Sequence, residues 1–368
     1  MFYQLLLLLF LLSTGYQLWF WGIVVPKLAD HKDQKSSNHK GQGVSIVICA
    51  FNEADTLKKT LPRILTQNYH SLEVIVVNDG STDQTAKVLL EIQKTTSILR
   101  IVTIDIEDKT TAGKKFALSK GIEKATNELL LLTDADCYPL SENWVNHMQE
   151  MIQGNTQIGL GYSPYEKQHS LLNFFIRYET VYTALQYLSF AKHGMPYMGV
   201  GRNLIYTKSI YQETGGFDAH AHITSGDDDL FVNAAAEADN TQVNLHPQGL
   251  TISKPKATWR EYFRQKHRHT TTGNNYRGKH KRVLGLLALS HTIHLIGGIM
   301  LLSQPSMIFV LFLYVGRMIV IMAVCRTLFP RLQAEDLWKW IPLLDLSYLL
   351  FYLSFWPALT IGNTQRWK

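Results

Sequence analysis

No charged residue occurs between Phe2 and Val25. A charge-free run of that length is about what a helix needs to cross a hydrocarbon core. A cleaved signal peptide would open on a positive segment and end in small residues. Here no Lys or Arg precedes the run, and Tyr16, Trp19, Phe20 and Trp21 crowd its far end like an interfacial aromatic belt. Residues 1–26 therefore read as a retained transmembrane anchor. Lys27, Lys32, Lys35 and Lys40 follow, and the positive-inside rule places the next domain in the cytoplasm of an integral membrane protein. Three more apolar stretches, Val283–Ser303, Met307–Cys325 and Ile341–Ile361, are each long enough to span and make up a C-terminal membrane region, 283–368. His291, His294 and Asp345 inside them are expected to face a bundle interior or an aqueous cavity. The run Gly278–Arg282 marks the cytoplasmic side before the first stretch. The joint Arg326–Trp340 and the tail with Arg366 and Lys368 both favour the cytoplasm, which three full spans cannot satisfy, so the span count stays open.

Between these ends the pattern changes. Val44–Ala50, Leu72–Asn78, Leu99–Asp105 and Glu128–Asp136 are short apolar runs, as expected of buried parallel strands. Helical spacing separates them: Leu57, Leu61, Ile64 and Leu65, then Thr82–Gln93, then Gly113–Ala125. The alternation predicts an α/β, doubly wound, mostly parallel sheet, in which ligands bind beyond the carboxyl ends of the strands. Glu53, Asp79, Asp134 and Asp136 fall at those ends. The three cysteines, Cys49, Cys137 and Cys325, lie far apart without a CxxC, which argues against a disulfide scaffold or a zinc site. The net charge of +6 suits nucleic acid, an anionic membrane or a phosphate-bearing substrate. The one basic stretch with interleaved aromatics, Trp259–Arg282, adjoins apolar segments, so lipid headgroups rather than nucleic acid are its expected partner.

Asp134 and Asp136 close an apolar strand, where residues i and i+2 share a face. Two carboxylates so placed repel unless a cation joins them, and Mg²⁺ or Mn²⁺ is the natural occupant. In Val76–Asp83 the Asp-Gly pair makes a turn, with Ser81, Thr82 or Asp83 capping the next helix, while Asp79 points one carboxylate into the cleft.

Together, Cys49–Glu53, Val76–Asp83, Ala112–Ile122 and the Asp134–Asp136 triplet resemble successive landmarks of the family 2 glycosyltransferases. The resemblance covers Gly43–His269. It implies a GT-A fold, a nucleotide-binding Rossmann-like domain over 43–258, and a transfer that inverts the anomeric centre. It further implies that Ala50, Asn52, Glu53 and Asp79 line the nucleoside pocket. Lys114 or Lys115 would sit near the base or diphosphate, Asp136 would be the main metal contact, and Asp134 would lie nearer the ribose or metal. Gly199–Asp218 resembles the acceptor-side segment, and Ser225–Phe231 falls where the family carries a Glu-Asp catalytic pair. Asp228 is the favoured base for the acceptor hydroxyl and Asp227 the alternative. Thr258–His269 opens an amphipathic helix region, 259–282, and contains a relative of the QxxRW motif with His269 in place of Trp. Its Gln265 and Arg268 would lie over acceptor and diphosphate.

The implied reaction is metal-dependent transfer from a nucleoside-diphosphate sugar, UDP-linked by the family's habit, to a lipid or saccharide acceptor. Single transfer is favoured over processive synthesis, because the C-terminal stretches are few and the Trp is missing. An inactive membrane-bound sugar-nucleotide sensor is the reading from another class. A nucleotidyltransferase would need a glycine-rich loop after the first strand, and Cys49–Leu57 has no glycine.

Overall fold

The computed structural model describes residues 1–30, 42–105, 107, 109 and 113–355. Helix α1 (Phe2–Trp19) continues through a π turn and a 3₁₀ turn to Leu28. The catalytic region then runs β1 (Val44–Ala50), α2 (Ala54–Leu65), β2 (Leu72–Asp79), α3 (Thr85–Gln93), β3 (Leu99–Ile104), α4 (Lys114–Lys124) and β4 (Leu129–Leu132). Next come β5 (Cys137–Pro139), α5 (Trp144–Gln149), β6 (Ile158–Leu160), α6 (Leu171–Lys192), β7 (Leu204–Thr207) and α7 (Lys208–Glu213). The order ends with α8 (Asp229–Ala235), β8 (Thr241–Val243), β9 (Thr251–Ser253), α9 (Trp259–Thr272), α10 (Gly278–Leu301), α11 (Met307–Leu328) and α12 (Ile341–Phe355).

Seven strands form one sheet in the order β3-β2-β1-β4-β7-β6-β8, and β5 pairs with β9 apart from it. The pairs β1–β2, β2–β3, β1–β4 and β6–β8 are parallel; β4–β7 and β6–β7 are antiparallel. The sheet is therefore mostly parallel. Its order reverses at β1, between β2 and β4, which places a crevice at the ends of those strands. Strand β1 is buried along its whole length. Val44, Ile46 and Ile48 pack with Leu57 and Leu61 on one face, while Val47 and Cys49 pack with Leu118 and Ile122 on the other. Two covered faces explain a continuous apolar run without alternation.

The second of these cores does not stop at the sheet. It runs through α6 into Phe20, Trp21, Leu287, Ile321 and Tyr348 of the helices at both chain ends. Helix α6 has nearly all its residues buried, because it lies between the sheet and the terminal helices. Among the described residues three helices are long and apolar enough to cross a membrane: Phe2–Leu28, Gly278–Leu301 and Met307–Leu328. The basic run Gly278–Arg282 opens α10 rather than preceding it. The expected stretch Ile341–Ile361 is helical to Phe355, and its last residues lie outside the described ones, as does the tail with Arg366 and Lys368.

Candidate active site

Strand β4 ends at Leu132, four residues earlier than the sequence suggests. Asp134 and Asp136 are therefore not strand neighbours on one face. They sit in the turn between β4 and β5, closed by Cys137 N–H donating to Asp134 O at 3.0 Å. The turn still brings one ligand atom each of Asp134, Asp136 and Cys137 within 4.8 Å of one another.

Lys114 is the hub. It is the first residue of α4, and Gly113 before it has φ 99°. A Cβ at Gly113 would come within 2.6 Å of Thr224 O, so only glycine fits. The Lys114 ammonium reaches Asp134 Oδ1 at 2.5 Å and Asp227 Oδ2 at 3.2 Å. Burial opposes its charge, but Asp134 and Asp227 outweigh that and hold its pKa well above the usual value. Asp134 is equally desolvated, yet Lys114 holds its carboxyl below the ordinary range. Asp136 has no ion pair among the described residues, and burial and then the Asp134 charge push its pKa up against the more distant Lys256 and Arg202. A hard divalent cation would relieve that repulsion, and two carboxylate oxygens suit it. The Cys137 thiol is pushed well above its usual value, by burial and then by Asp136, and its Sγ lies 3.4 Å from Asp136 Oδ1.

The three acids at the start of α8 separate by partner. Asp227 faces Lys114. Asp229 Oδ2 accepts from Tyr276 OH at 2.8 Å and from the Thr272 hydroxyl, which ties α8 to the end of α9. Among the described residues Asp228 accepts only backbone N–H groups, from Gly201 at 2.7 Å and Asp229 at 2.8 Å. Burial, then the charges of Asp227 and Asp229, push Asp228 up to about 7, against the Gly201 N–H and Lys114.

The nucleoside-side residues divide likewise. Ala50 is buried at the end of β1. Asn52 has φ 55°, and its Oδ1 accepts from Thr82 N–H at 2.8 Å and Asp83 N–H at 3.3 Å. Its side chain thus braces the loop after β2. Glu53 precedes α2, and its carboxylate makes no hydrogen bond or ion pair among the described residues. Asp79 is buried and meets Lys109 at 2.6 Å, but its Oδ1 has no partner among the described residues. Burial raises its pKa against the pull of Lys109. Lys115 is turned away from the carboxylates, and its ammonium donates to His220 O at 2.6 Å and Ile223 O at 3.1 Å. Of the two lysines considered from sequence, only Lys114 pairs with the acids.

On α9, Arg268 adds positive charge at Asp134 and lies 3.5 Å from His269 Nε2. Gln265 is half-buried and makes no polar contact among the described residues. The aromatic side of α9 grips the protein in part: Tyr262 is buried against Phe175, and Lys266 pairs with buried Glu179 of α6 at 2.5 Å.

Sequence reasoning missed Arg202. The antiparallel register pairs Leu132 with Leu204. Continued by two residues on each strand, it sets Arg202 opposite Asp134. Thr133 Oγ1 donates to Arg202 O at 3.0 Å, which pins the backbone there. The guanidinium stacks 4.5 Å over Tyr165, acts on both Asp134 and Asp136, and has a buried Nη1 without a hydrogen-bond partner among the described residues. The only signal in the sequence was its place inside the segment Gly199–Asp218.

Comparison with known proteins agrees with this geometry. The family model "Glycosyl transferase family 2" matches residues 45–214, and "Glycosyl transferase family group 2" matches 130–364, more than half of the chain. The poly-beta-1,6-N-acetyl-D-glucosamine synthase of Staphylococcus epidermidis is 30% identical over 125 residues, which is 34% of this chain and 29% of that protein. The synthase of Staphylococcus aureus strain MSSA476 is 32% identical over 95 residues, 26% of this chain and 22% of its own. The match thus spans less than a third of these relatives' length. The mannosyltransferase PcManGT from Pyrobaculum calidifontis, solved with GDP-Man and Mn²⁺, shares the fold with a TM-score of 0.61. That likeness covers 95% of this chain and 99% of PcManGT at 16% identity. With its doubly wound sheet, its acids at the strand ends and these family matches, the chain belongs to the family 2 glycosyltransferases and has the GT-A fold.

Proposed function

We propose that this chain transfers a sugar from a nucleoside-diphosphate sugar to an acceptor hydroxyl, with inversion at the anomeric carbon. The observation that carries the reading is the convergence of Asp134 and Asp227, far apart in the sequence, on the one ammonium of Lys114. Asp136 and Asp228 flank that pair with raised pKa values. Asp228 takes the proton as the hydroxyl attacks, because burial and its two acidic neighbours push it up to about 7. Asp227 keeps Lys114 in place, and Asp229 is spent on Thr272 and Tyr276. The unpartnered oxygen of Asp79 accepts a base N–H, with Ala50 and the loop braced by Asn52 shaping that pocket beside Glu53. Lys114, Arg202 and Arg268 meet the charge that grows on the leaving diphosphate. A divalent cation, Mg²⁺ or Mn²⁺, held by Asp136 and Asp134, would neutralise part of that charge. UDP is the favoured carrier by family habit, and the acceptor is a lipid or a saccharide.

The catalytic domain is assigned to the cytoplasm. Leu28 leaves the first apolar helix, Gly278 starts α10 and the joint after α11 returns, all on the side of the sheet. There Arg177 of α6 pairs with Asp336 at 2.6 Å, and Arg331 donates to Ala29 O at 3.2 Å. That side carries Lys27, Lys279, Lys281, Arg282, Arg326, Arg331 and Lys339, while the opposite turn, Leu302–Ser306, has no charge.

The test uses detergent-solubilised protein, a panel of sugar nucleotides, and Mn²⁺, Mg²⁺ or EDTA, with lipid extract and oligosaccharides as acceptors. One nucleoside diphosphate should be released, with metal, and the Asp136→Ala and Asp228→Asn variants should lose the release. No turnover of any donor with any acceptor would reject the reading. A processive synthase is the second reading, favoured by the printed activity of the staphylococcal relatives. Product length in the same assay separates the two.

A further inference from the structure

A recess of about 440 Å³ lies far along α6 from the carboxylates, where the helix ends beside the foot of the first apolar helix. Lys27, Lys192, His193, Gly194, Thr241 and Gln242 line it, and among the described residues no carboxylate does. Neither Lys27 nor Lys192 has a hydrogen bond or ion pair among the described residues. Lys192 is nevertheless half-buried, and burial lowers its pKa.

A lysine at a helix C-terminus usually serves the last carbonyls. That duty is already filled here. His193 N–H donates to Ser189 O at 3.1 Å, Gly194 N–H to Ala191 O at 2.9 Å, and Met195 N–H to Phe190 O at 2.8 Å. Gly194 makes this cap possible with φ 73°. His193 closes the wall, its Nε2–H donating to Val24 O, 3.3 Å away in the apolar helix. An exposed Lys27 and a half-buried Lys192, both unpaired among the described residues, thus line one polar recess level with the end of a membrane span.

We infer that this recess binds the phosphate of an anionic lipid headgroup, from the leaflet that faces the catalytic domain. Its polar donors match phosphate oxygens, and the site opens where Lys27 leaves the apolar run. Free phosphate shares the chemistry, so the test separates the two sources.

Full-length protein in detergent is titrated with dioleoyl phosphatidylglycerol and with dioleoyl phosphatidylcholine, and bound lipid is counted by native mass spectrometry. Phosphatidylglycerol should bind in preference. Lys27→Gln and Lys192→Gln should each weaken it about fivefold, the value of one lysine at an anionic surface. Lys192→Arg should keep it, and so should Lys339→Gln, which removes an exposed charge on the same side but outside the recess. Equal binding of the two lipids would overturn the inference. So would a Lys27→Gln/Lys192→Gln double variant that binds like the parent, or an equal loss in Lys339→Gln. Displacement of the lipid by millimolar inorganic phosphate would assign the recess to free phosphate and overturn the lipid source.

Discussion

The proposed base gives the most exacting prediction. Asp228 sits near 7 because burial and two like charges penalise its ionised form, while it accepts only the Gly201 and Asp229 N–H groups. A general base works when deprotonated, so activity must rise with pH through that value. About one pH unit below it, roughly one molecule in eleven carries the ionised base, and kcat/KM should fall to about a tenth of its plateau. Asp228→Asn keeps the size and one acceptor oxygen but cannot take a proton, and should cost about 10²- to 10⁴-fold in kcat. The neighbour supplies a sharper check. Asp229→Asn removes one of the two repelling charges and keeps an acceptor oxygen for Thr272 and Tyr276. It should move the acid limb of the profile to lower pH with the plateau largely kept. The assay is release of nucleoside diphosphate at saturating metal, from about two units below neutrality to two above. A profile flat through neutrality, an upward shift in Asp229→Asn, or an active Asp228→Asn beside a dead Asp227→Asn would refute the assignment.

Three further outcomes are expected. Arg202→Ala should lower kcat/KM about 10²- to 10³-fold, and Arg202→Lys should not restore it, since the stacked fork and its unpaired Nη1 are lost; full rescue by Lys would refute the role. Asp79→Ala should weaken nucleoside diphosphate binding, read by titration calorimetry, by about ten- to hundredfold, and unchanged affinity would remove Asp79 from the pocket. In the helix bundle, Asp345 accepts from Arg317 at 2.7 and 2.9 Å and lies 3.1 Å from His291 Nε2. Asp345→Leu leaves the Arg317 charge buried alone and should destabilise the detergent-solubilised protein by about 3–5 kcal/mol, seen as a lower unfolding temperature.

The strands were legible because buried parallel strands need unbroken β-branched and leucine runs, and β1 appears over the residues expected, Val44–Ala50. Asp79 and the pair Lys114 and Lys115 were legible as candidates because strand ends and helix starts are where such a sheet collects ligands. What failed depended on partners distant in sequence. The end of β4 at Leu132 is set by Thr133, whose hydroxyl turns to Arg202 O, and nothing local announces it. Arg202 reaches the acids only because β7 runs antiparallel to β4, and the strands read from the sequence ended at β4. Lys114 and Lys115 are adjacent on a helix, and only the positions of Asp134 and the His220 carbonyl decide which one enters the site.

The same dependence explains why the helices at the two chain ends cannot be treated as a mere tether. Helix α9 looked like a strip lying on lipid, and Trp259 and Phe263 do remain exposed. Yet Tyr262 packs on Phe175 of α6, Lys266 pairs with Glu179 of α6, and Phe263 meets Phe355 of α12. Helix α6 is in turn held by Trp21 and Tyr348 against Tyr182, and by Asp336 against Arg177. Arg268 and the Thr272 that braces Asp229 both ride on α9. Their positions over the acids are therefore fixed through α6 by residues of the first apolar helix, of α12 and of the joint before it. A catalytic sheet cut free of those helices would keep Asp134, Asp136 and Lys114 and would lose the support that holds Arg268 and Asp229 in place.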